Sequence, residues 1–79
     1  MTDTLALLKN LICRESVTPN DAGCLDLIAS RLTPLGFVDE RLNFNDTENM
    51  WLRLGNVKPL FVFLGHTDVV PVGALNLWE

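Results

Sequence analysis

Apolar residues at helical spacing open the chain. Leu5, Leu8 and Leu11 recur at three-residue intervals and Ile12 follows them, which predicts an amphipathic helix from a polar start at residues 2–4 to about Cys13. A polar loop that contains a proline, residues 16–21, comes next. The first helix is therefore expected to present one apolar face that needs a partner.

A second helical pattern follows the loop. Asn20 or Asp21 is expected to cap it, and Pro34 and Gly36 are expected to end it. Its apolar positions share one face and are Cys24, Leu25, Ile28, Ala29 and Leu32. The first 36 residues are thus predicted to form two amphipathic helices.

The pattern then changes to that of strands. Residues 37–44 alternate imperfectly, residues 49–54 form a second short apolar stretch, and turn-forming Asn and Asp side chains separate them. These two segments are expected to pair as a hairpin. The candidate core positions of the first strand are Phe37, Val38, Leu42 and Phe44.

Residues 60–64 are apolar without alternation, which predicts a third strand that is covered on both faces. The expected fold class is therefore α/β, with two N-terminal helices packed on a partial sheet of about three strands. Such a central strand needs more neighbours than two helices and two short strands supply. We therefore expect residues 1–79 to be the incomplete N-terminal portion of a larger catalytic domain.

Composition narrows the class of protein. The chain has 79 residues, 48% of them hydrophobic, and a net charge of −4 without a basic stripe, which suits one compact unit and argues against nucleic-acid binding. The N-terminus lacks a basic region ahead of an apolar stretch, and the longest apolar run is far shorter than the roughly 20 residues of a membrane span. A cytoplasmic protein is expected.

Several reactive-looking side chains are better explained by structure. Cys13 and Cys24 lack the spacing of a zinc or redox motif, so they are expected to be free thiols that act as small buried hydrophobes. Ser16 and Thr18 are expected to be loop or capping hydroxyls. Trp51 and Trp78 are expected to pack in the core or between elements.

Candidate chemistry follows the third predicted strand, where His66 and Asp68 stand two positions apart. Ligand sites of open α/β sheets lie at the carboxyl ends of strands, and a zinc-binding imidazole normally donates its second N–H to a carboxylate. We favour His66 as a metal ligand and Asp68 as the group that orients it. Both residues as ligands, or a simple hydrogen-bonded turn, are the alternatives.

The ligand set is incomplete in this chain. A catalytic zinc site uses about three protein ligands and an open position for water. After Asp68 the only ionisable side chain is that of Glu79. We therefore expect weak metal affinity and no turnover from these 79 residues alone.

The string GHTDVVP, residues 65–71, resembles the first metal-binding motif of the zinc-dependent aminoacylase and carboxypeptidase superfamily. The likeness continues through LLKNLICRESVTPNDAGC, LIASRLTPLGF and FNDTENMWLR, so it covers most of the chain. Within the superfamily, SVTPNDAGC and NDTENMW are most similar to the desuccinylases. HTDVVP alone defines the superfamily better than the substrate.

This resemblance implies a dinuclear zinc amidohydrolase, in which Co²⁺ can replace Zn²⁺. His66 would bind one zinc ion and Asp68 would be the catalytic carboxylate that orients its ring. The implied reaction converts N-succinyl-LL-2,6-diaminopimelate to succinate and LL-diaminopimelate in lysine biosynthesis. The implied partners are the N-succinyl amino acid substrate and a second copy of the intact enzyme, as a homodimer.

Two other functions remain open from the sequence. The parent protein is alternatively a related N-acyl amino acid deacylase, of the acetylornithine deacetylase type, or a metallo-carboxypeptidase. The chain is alternatively a non-catalytic module that self-associates through exposed strand edges.

Overall fold

The computed structural model describes residues 2–78, so Met1 and Glu79 lie outside the described part. Two α-helices are present, α1 (Thr2–Ile12) and α2 (Cys24–Leu32). Both predicted helices are confirmed. The apolar face of α1 stays largely uncovered, because Leu5, Leu8 and Ile12 are exposed.

The loop before α2 is tied to its first turn by Asp21. The Leu25 amide donates to Asp21 Oδ2 over 3.1 Å, but the N-cap position of α2 is Gly23, so the predicted cap at Asn20 or Asp21 is wrong in position. At the other end, α2 continues into a 3₁₀ turn, Thr33–Leu35. Gly36 then stops the helix with φ 103°, as predicted from its position.

Two strands follow and form an antiparallel hairpin, β1 (Val38–Arg41) and β2 (Met50–Arg53). Val38 pairs with Arg53 and Arg41 pairs with Met50. The hairpin is confirmed with strands shorter than predicted. Three of the four candidate core positions are wrong, because Val38, Leu42 and Phe44 are exposed and only Phe37 is half-buried.

An ion pair joins α2 to the hairpin. Arg41 donates from its terminal nitrogen to Asp26 Oδ1 over 2.8 Å and from Nε to Asp39 over 3.0 Å. The two side-chain hydrogen bonds, to Asp39 and then to Asp26, raise the pKa of Arg41. Because Asp26 is exposed, we expect this contact to orient the hairpin more than to stabilise it.

The predicted third strand is wrong for this chain. Residues 60–64 form no strand pairs within the described residues, and their side chains are between 51% and 99% exposed. Phe61 and Phe63 contact each other, with ring centroids 5.0 Å apart. A strand that is apolar on both faces needs a ladder on its edges and cover above and below, and residues 2–78 supply neither to this segment.

The core is correspondingly small. Among the described residues, the buried side chains are Cys24, Ala29 and Ser16. The radius of gyration is 15.1 Å, against about 12 Å expected for a compact domain of this length. The chain is therefore less compact than its composition predicts. No helix in residues 2–78 has the length and apolar character needed to cross a bilayer.

The aromatic packing prediction holds for one tryptophan. Trp51 in β2 is half-buried. Trp78 is exposed, and its indole Nε1 donates to the Val72 carbonyl over 2.9 Å. The Trp78 ring therefore donates a hydrogen bond within residues 72–78, and the expectation that it packs between elements is wrong.

The two cysteines are free, as predicted, but only one is buried. Cys24 is 1% exposed, whereas Cys13 lies on the surface after α1. We therefore expect iodoacetamide to modify Cys13 in the native chain and Cys24 only after denaturant is added, because alkylation needs an accessible thiolate. Peptide mass spectrometry reads both sites. A Cys13→Ser chain is the control, and rapid labelling of its Cys24 would contradict the structure.

Gly36 is expected to resist substitution. Its φ of 103° disfavours L side chains, and an added Cβ would lie 3.3 Å from Leu54 Cδ1. Gly36→Ala should lower the free energy of unfolding by about 1–3 kcal/mol, measured by urea titration. Gly55→Ala is the matched control, because Gly55 has φ 76° and nothing within 4 Å of its added Cβ. Equal losses would show that the Leu54 contact costs nothing.

Candidate functional site

His66 and Asp68 lie in contact, as the sequence analysis expected for an oriented imidazole. His66 Nδ1 is 3.0 Å from Asp68 Oδ1 and 3.1 Å from the Asp68 carbonyl oxygen. Both neighbours are acceptors, so the ring proton belongs on Nδ1. Within residues 2–78, Nε2 has no hydrogen-bond partner, and the His66 side chain is 82% exposed. The free nitrogen therefore presents its lone pair outward.

The backbone around Asp68 is held by the polar loop that follows α1. Val17 and Val69 form an isolated parallel bridge. The Val69 amide donates to the Ser16 carbonyl over 2.9 Å, and the Thr18 amide donates to the Val69 carbonyl over 3.0 Å. The Ser16 hydroxyl, in a side chain only 4% exposed, donates to the Thr67 carbonyl over 2.7 Å. The loop thus fixes the residues on both sides of Asp68.

Thr18 reaches the carboxylate itself. Its hydroxyl donates to Asp68 Oδ2 over 2.6 Å. This hydrogen bond lowers the pKa of the Asp68 carboxyl, partial desolvation opposes the shift, and the contact with His66 adds to it. The Asp68 carboxylate is therefore the favoured form at neutral pH.

From the sequence, Ser16 and Thr18 are expected only to be loop or capping hydroxyls. The loop assignment is confirmed, but their partners Thr67 and Asp68 were missed. Thr18 and Asp68 lie 50 positions apart in the chain, and Ser16 and Thr67 lie 51 positions apart. No spacing rule connects positions so distant, and the parallel bridge that brings them together is one residue pair long.

An open cavity of about 850 Å³ lies beside this turn. α2 contributes Leu25 and Ile28 to its lining, β2 contributes Trp51, and the exposed segment 60–64 forms another wall. His66, Thr67 and Asp68 also line it. A small polar ligand bound at the turn would therefore have a largely apolar surface next to it.

An imidazole and a carboxylate, those of His66 and Asp68, are suitable ligands for a metal ion, but two side chains are too few for a complete site. In the described part of the chain, no group of three or more His, Cys, Asp and Glu side chains is placed to hold a metal. His66 offers an exposed Nε2 and a carboxylate on Nδ1, the arrangement found around zinc-binding histidines. The roles of His66 as ligand and Asp68 as catalytic carboxylate therefore stay predictions.

Curated proteins of similar sequence share one name. The chain is 65% identical to the succinyl-diaminopimelate desuccinylase of Methylococcus capsulatus over 79 residues, all of this chain and 21% of that protein. It is 59% identical to the enzymes of that name from Azoarcus sp. and Methylobacillus flagellatus, over 99% and 100% of this chain and 20% and 21% of theirs. No protein-family model matches the chain.

These similarities confirm the resemblance to the desuccinylases, and they cover the whole chain. The chain spans about a fifth of the length of the curated relatives that it matches.

Proposed function

We propose that this chain is the N-terminal portion of a metal-dependent amide hydrolase that converts N-succinyl-LL-2,6-diaminopimelate to succinate and LL-diaminopimelate in lysine biosynthesis. The identity of 65% over 79 residues to a protein of that name supports the choice of substrate. The 79 residues by themselves are expected to be inactive, because one imidazole and one carboxylate do not complete a catalytic metal site.

One observation carries the proposal, the 3.0 Å contact between His66 Nδ1 and Asp68 Oδ1. A proton held on Nδ1 leaves Nε2 as a lone-pair donor, and the negative carboxylate makes that nitrogen more basic. The His66 side chain is 82% exposed, so Nε2 is accessible to a ligand. A carboxylate on Nδ1 and an accessible Nε2 are the arrangement found around zinc-binding histidines.

In the proposed mechanism, His66 would hold a divalent cation through Nε2, and Asp68 would keep the ring in the Nδ1–H tautomer and in its orientation. When bound, a pair of Zn²⁺ ions, or Co²⁺ in their place, polarises the scissile amide and lowers the pKa of a water molecule. Leu25, Ile28 and Trp51 line the same open cavity as the turn, so a substrate bound there would lie against an apolar surface. The other ligands and the general base are proposed to lie outside these 79 residues.

The proposed partners are those that the resemblance implies. The substrate is a small N-succinyl amino acid, the intact enzyme is a homodimer, and the cytoplasm is the compartment where lysine precursors are made. Related N-acyl amino acid deacylases and metallo-carboxypeptidases share the motif at residues 65–71, so they remain the nearest alternative activities.

The experiment that tests this function is a chimera. The matched 79-residue segment of the Methylococcus capsulatus relative is replaced by this chain, and succinate release from N-succinyl-diaminopimelate is measured with Zn²⁺ or Co²⁺. We expect activity within about tenfold of the parent relative, lost on treatment with a chelator. N-acetylornithine serves as the competing substrate. A folded chimera without metal-dependent hydrolysis would show that the chain does not supply this function.

A self-associating module is the second candidate, because residues 60–64 expose five adjacent apolar side chains in this structure. Sedimentation velocity of the 79-residue chain over a range of concentrations separates the two functions. A stable oligomer that ignores chelators favours the module. A monomer at all concentrations excludes it.

A further inference from the structure

We propose that Thr18 is a positioning residue whose hydroxyl fixes the orientation of the Asp68 carboxylate and thereby keeps the ring proton of His66 on Nδ1. The inference rests on the proposed function only in naming a divalent cation as the ligand of Nε2. The contacts of Thr18 with Asp68 and of Asp68 with His66 are present in the structure and do not depend on the proposed function.

The two oxygens of the Asp68 carboxylate have different partners. Oδ1 lies 3.0 Å from His66 Nδ1, and Oδ2 accepts the Thr18 hydroxyl proton over 2.6 Å. Rotation about the side-chain torsion that carries the carboxylate would lose both contacts at once. The Thr18 hydrogen bond therefore restrains the oxygen that faces the imidazole, although it does not touch the ring.

The Thr18 hydroxyl has one other acceptor in reach, the Val69 carbonyl at 3.2 Å. A hydroxyl has one proton to donate, and a charged carboxylate at shorter distance is the stronger acceptor. Donation to Asp68 is therefore favoured. The carbonyl offers an alternative only if the carboxylate turns away.

Thr18 is itself held by the backbone. Its amide donates to Val69, and the Val69 amide donates back to Ser16, so the hydroxyl and the carboxylate meet across a fixed backbone pairing. The Ser16 hydroxyl adds a bond to Thr67 on the same turn. Removal of the Thr18 hydroxyl alone leaves these bonds in place, which makes the side-chain contact separable from the folding of the loop.

The first experiment reads the His66 tautomer directly by ¹⁵N NMR, in metal-free alkaline buffer where imidazole rings are neutral. His66 is the one histidine of the sequence, so its ring signals need no assignment. We expect the Nδ1–H tautomer to dominate in the wild-type chain and in Thr18→Ser. Thr18→Val should shift the population partway towards Nε2–H, because the Asp68 carbonyl oxygen, 3.1 Å from Nδ1, stays as the second acceptor. Thr47→Val is the matched control, because Thr47 faces the carboxylate of Asp46 in the hairpin turn.

The second experiment measures Co²⁺ affinity in the chimera. Thr18→Val should weaken it about tenfold, the lower end of what loss of an outer partner of a metal ligand costs. Thr18→Ser should restore wild-type affinity, and Thr47→Val should leave it unchanged. A merely structural role for Thr18 would change the unfolding midpoint without changing the tautomer.

Three results would overturn the proposal. They are a wild-type chain with its proton mainly on Nε2, a folded Thr18→Val chain with the wild-type tautomer, and a Thr18→Ser chain that behaves unlike wild type. The last result is decisive even if Thr18→Val fails to fold. Because the tautomer is read without metal or substrate, an inactive chimera would count against the proposed function and leave the Thr18 result independent.

Discussion

Replacement of His66 by alanine in the chimera is expected to reduce kcat/KM for N-succinyl-diaminopimelate by about 10³-fold, or about 4 kcal/mol of transition-state stabilisation. The sequence has no second histidine, so no neighbouring imidazole within these 79 residues can replace the lost ligand. Metal content, measured by atomic absorption after dialysis, should fall in parallel.

The controls separate loss of a ligand from loss of structure. Lys9→Ala changes an exposed position in α1 and should leave kcat/KM and metal content unchanged. His66→Gln keeps a polar side chain and should be nearly as inactive as His66→Ala, because an amide is a poor zinc ligand. A His66→Ala chimera that retained full activity and metal content would remove His66 from the site.

Substitution of Asp68 is expected to have the second largest effect. Asp68→Ala removes the acceptor 3.0 Å from His66 Nδ1 and should lower kcat/KM about 100-fold. Asp68→Asn keeps an oxygen acceptor without the charge, so a smaller loss of about tenfold is expected. Metal stoichiometry should stay close to that of the unsubstituted chimera, with weaker affinity in both variants.

The same pair of variants tests the alternative that Asp68 binds the metal. In that case the neutral amide would fail almost as completely as alanine, and the chimera would lose bound metal from both variants. Circular dichroism and the urea unfolding midpoint show whether each variant keeps its fold. Equal, complete loss with an intact fold would reassign Asp68 from orienting group to ligand.

Local patterns predicted the elements whose contacts are local. α1 and α2 follow from helical spacing, and Gly36 ends its helix because a positive φ disfavours other residues. The hairpin follows from turn-forming side chains between two short strands. His66 and Asp68 are two residues apart, so a local rule was enough to predict their contact.

Residues 60–64 illustrate the limit of such patterns. An apolar run of five residues has the composition of a central strand, but a strand is defined by its hydrogen-bonded neighbours. Residues 2–78 leave this segment without them, and its side chains are exposed. Composition thus describes what a segment can bury, and only the surrounding chain decides whether it does so.

Residue spacing was enough to predict two helices, a hairpin and an imidazole beside a carboxylate, because each depends on residues close together in the chain. Only the tertiary structure showed that Ser16 and Thr18 hold the turn of Asp68, since that contact joins segments about 50 residues apart through backbone pairing. It also showed that residues 60–64 pair with no strand among residues 2–78. Long-range hydrogen bonds depend on chain geometry, which residue spacing does not encode.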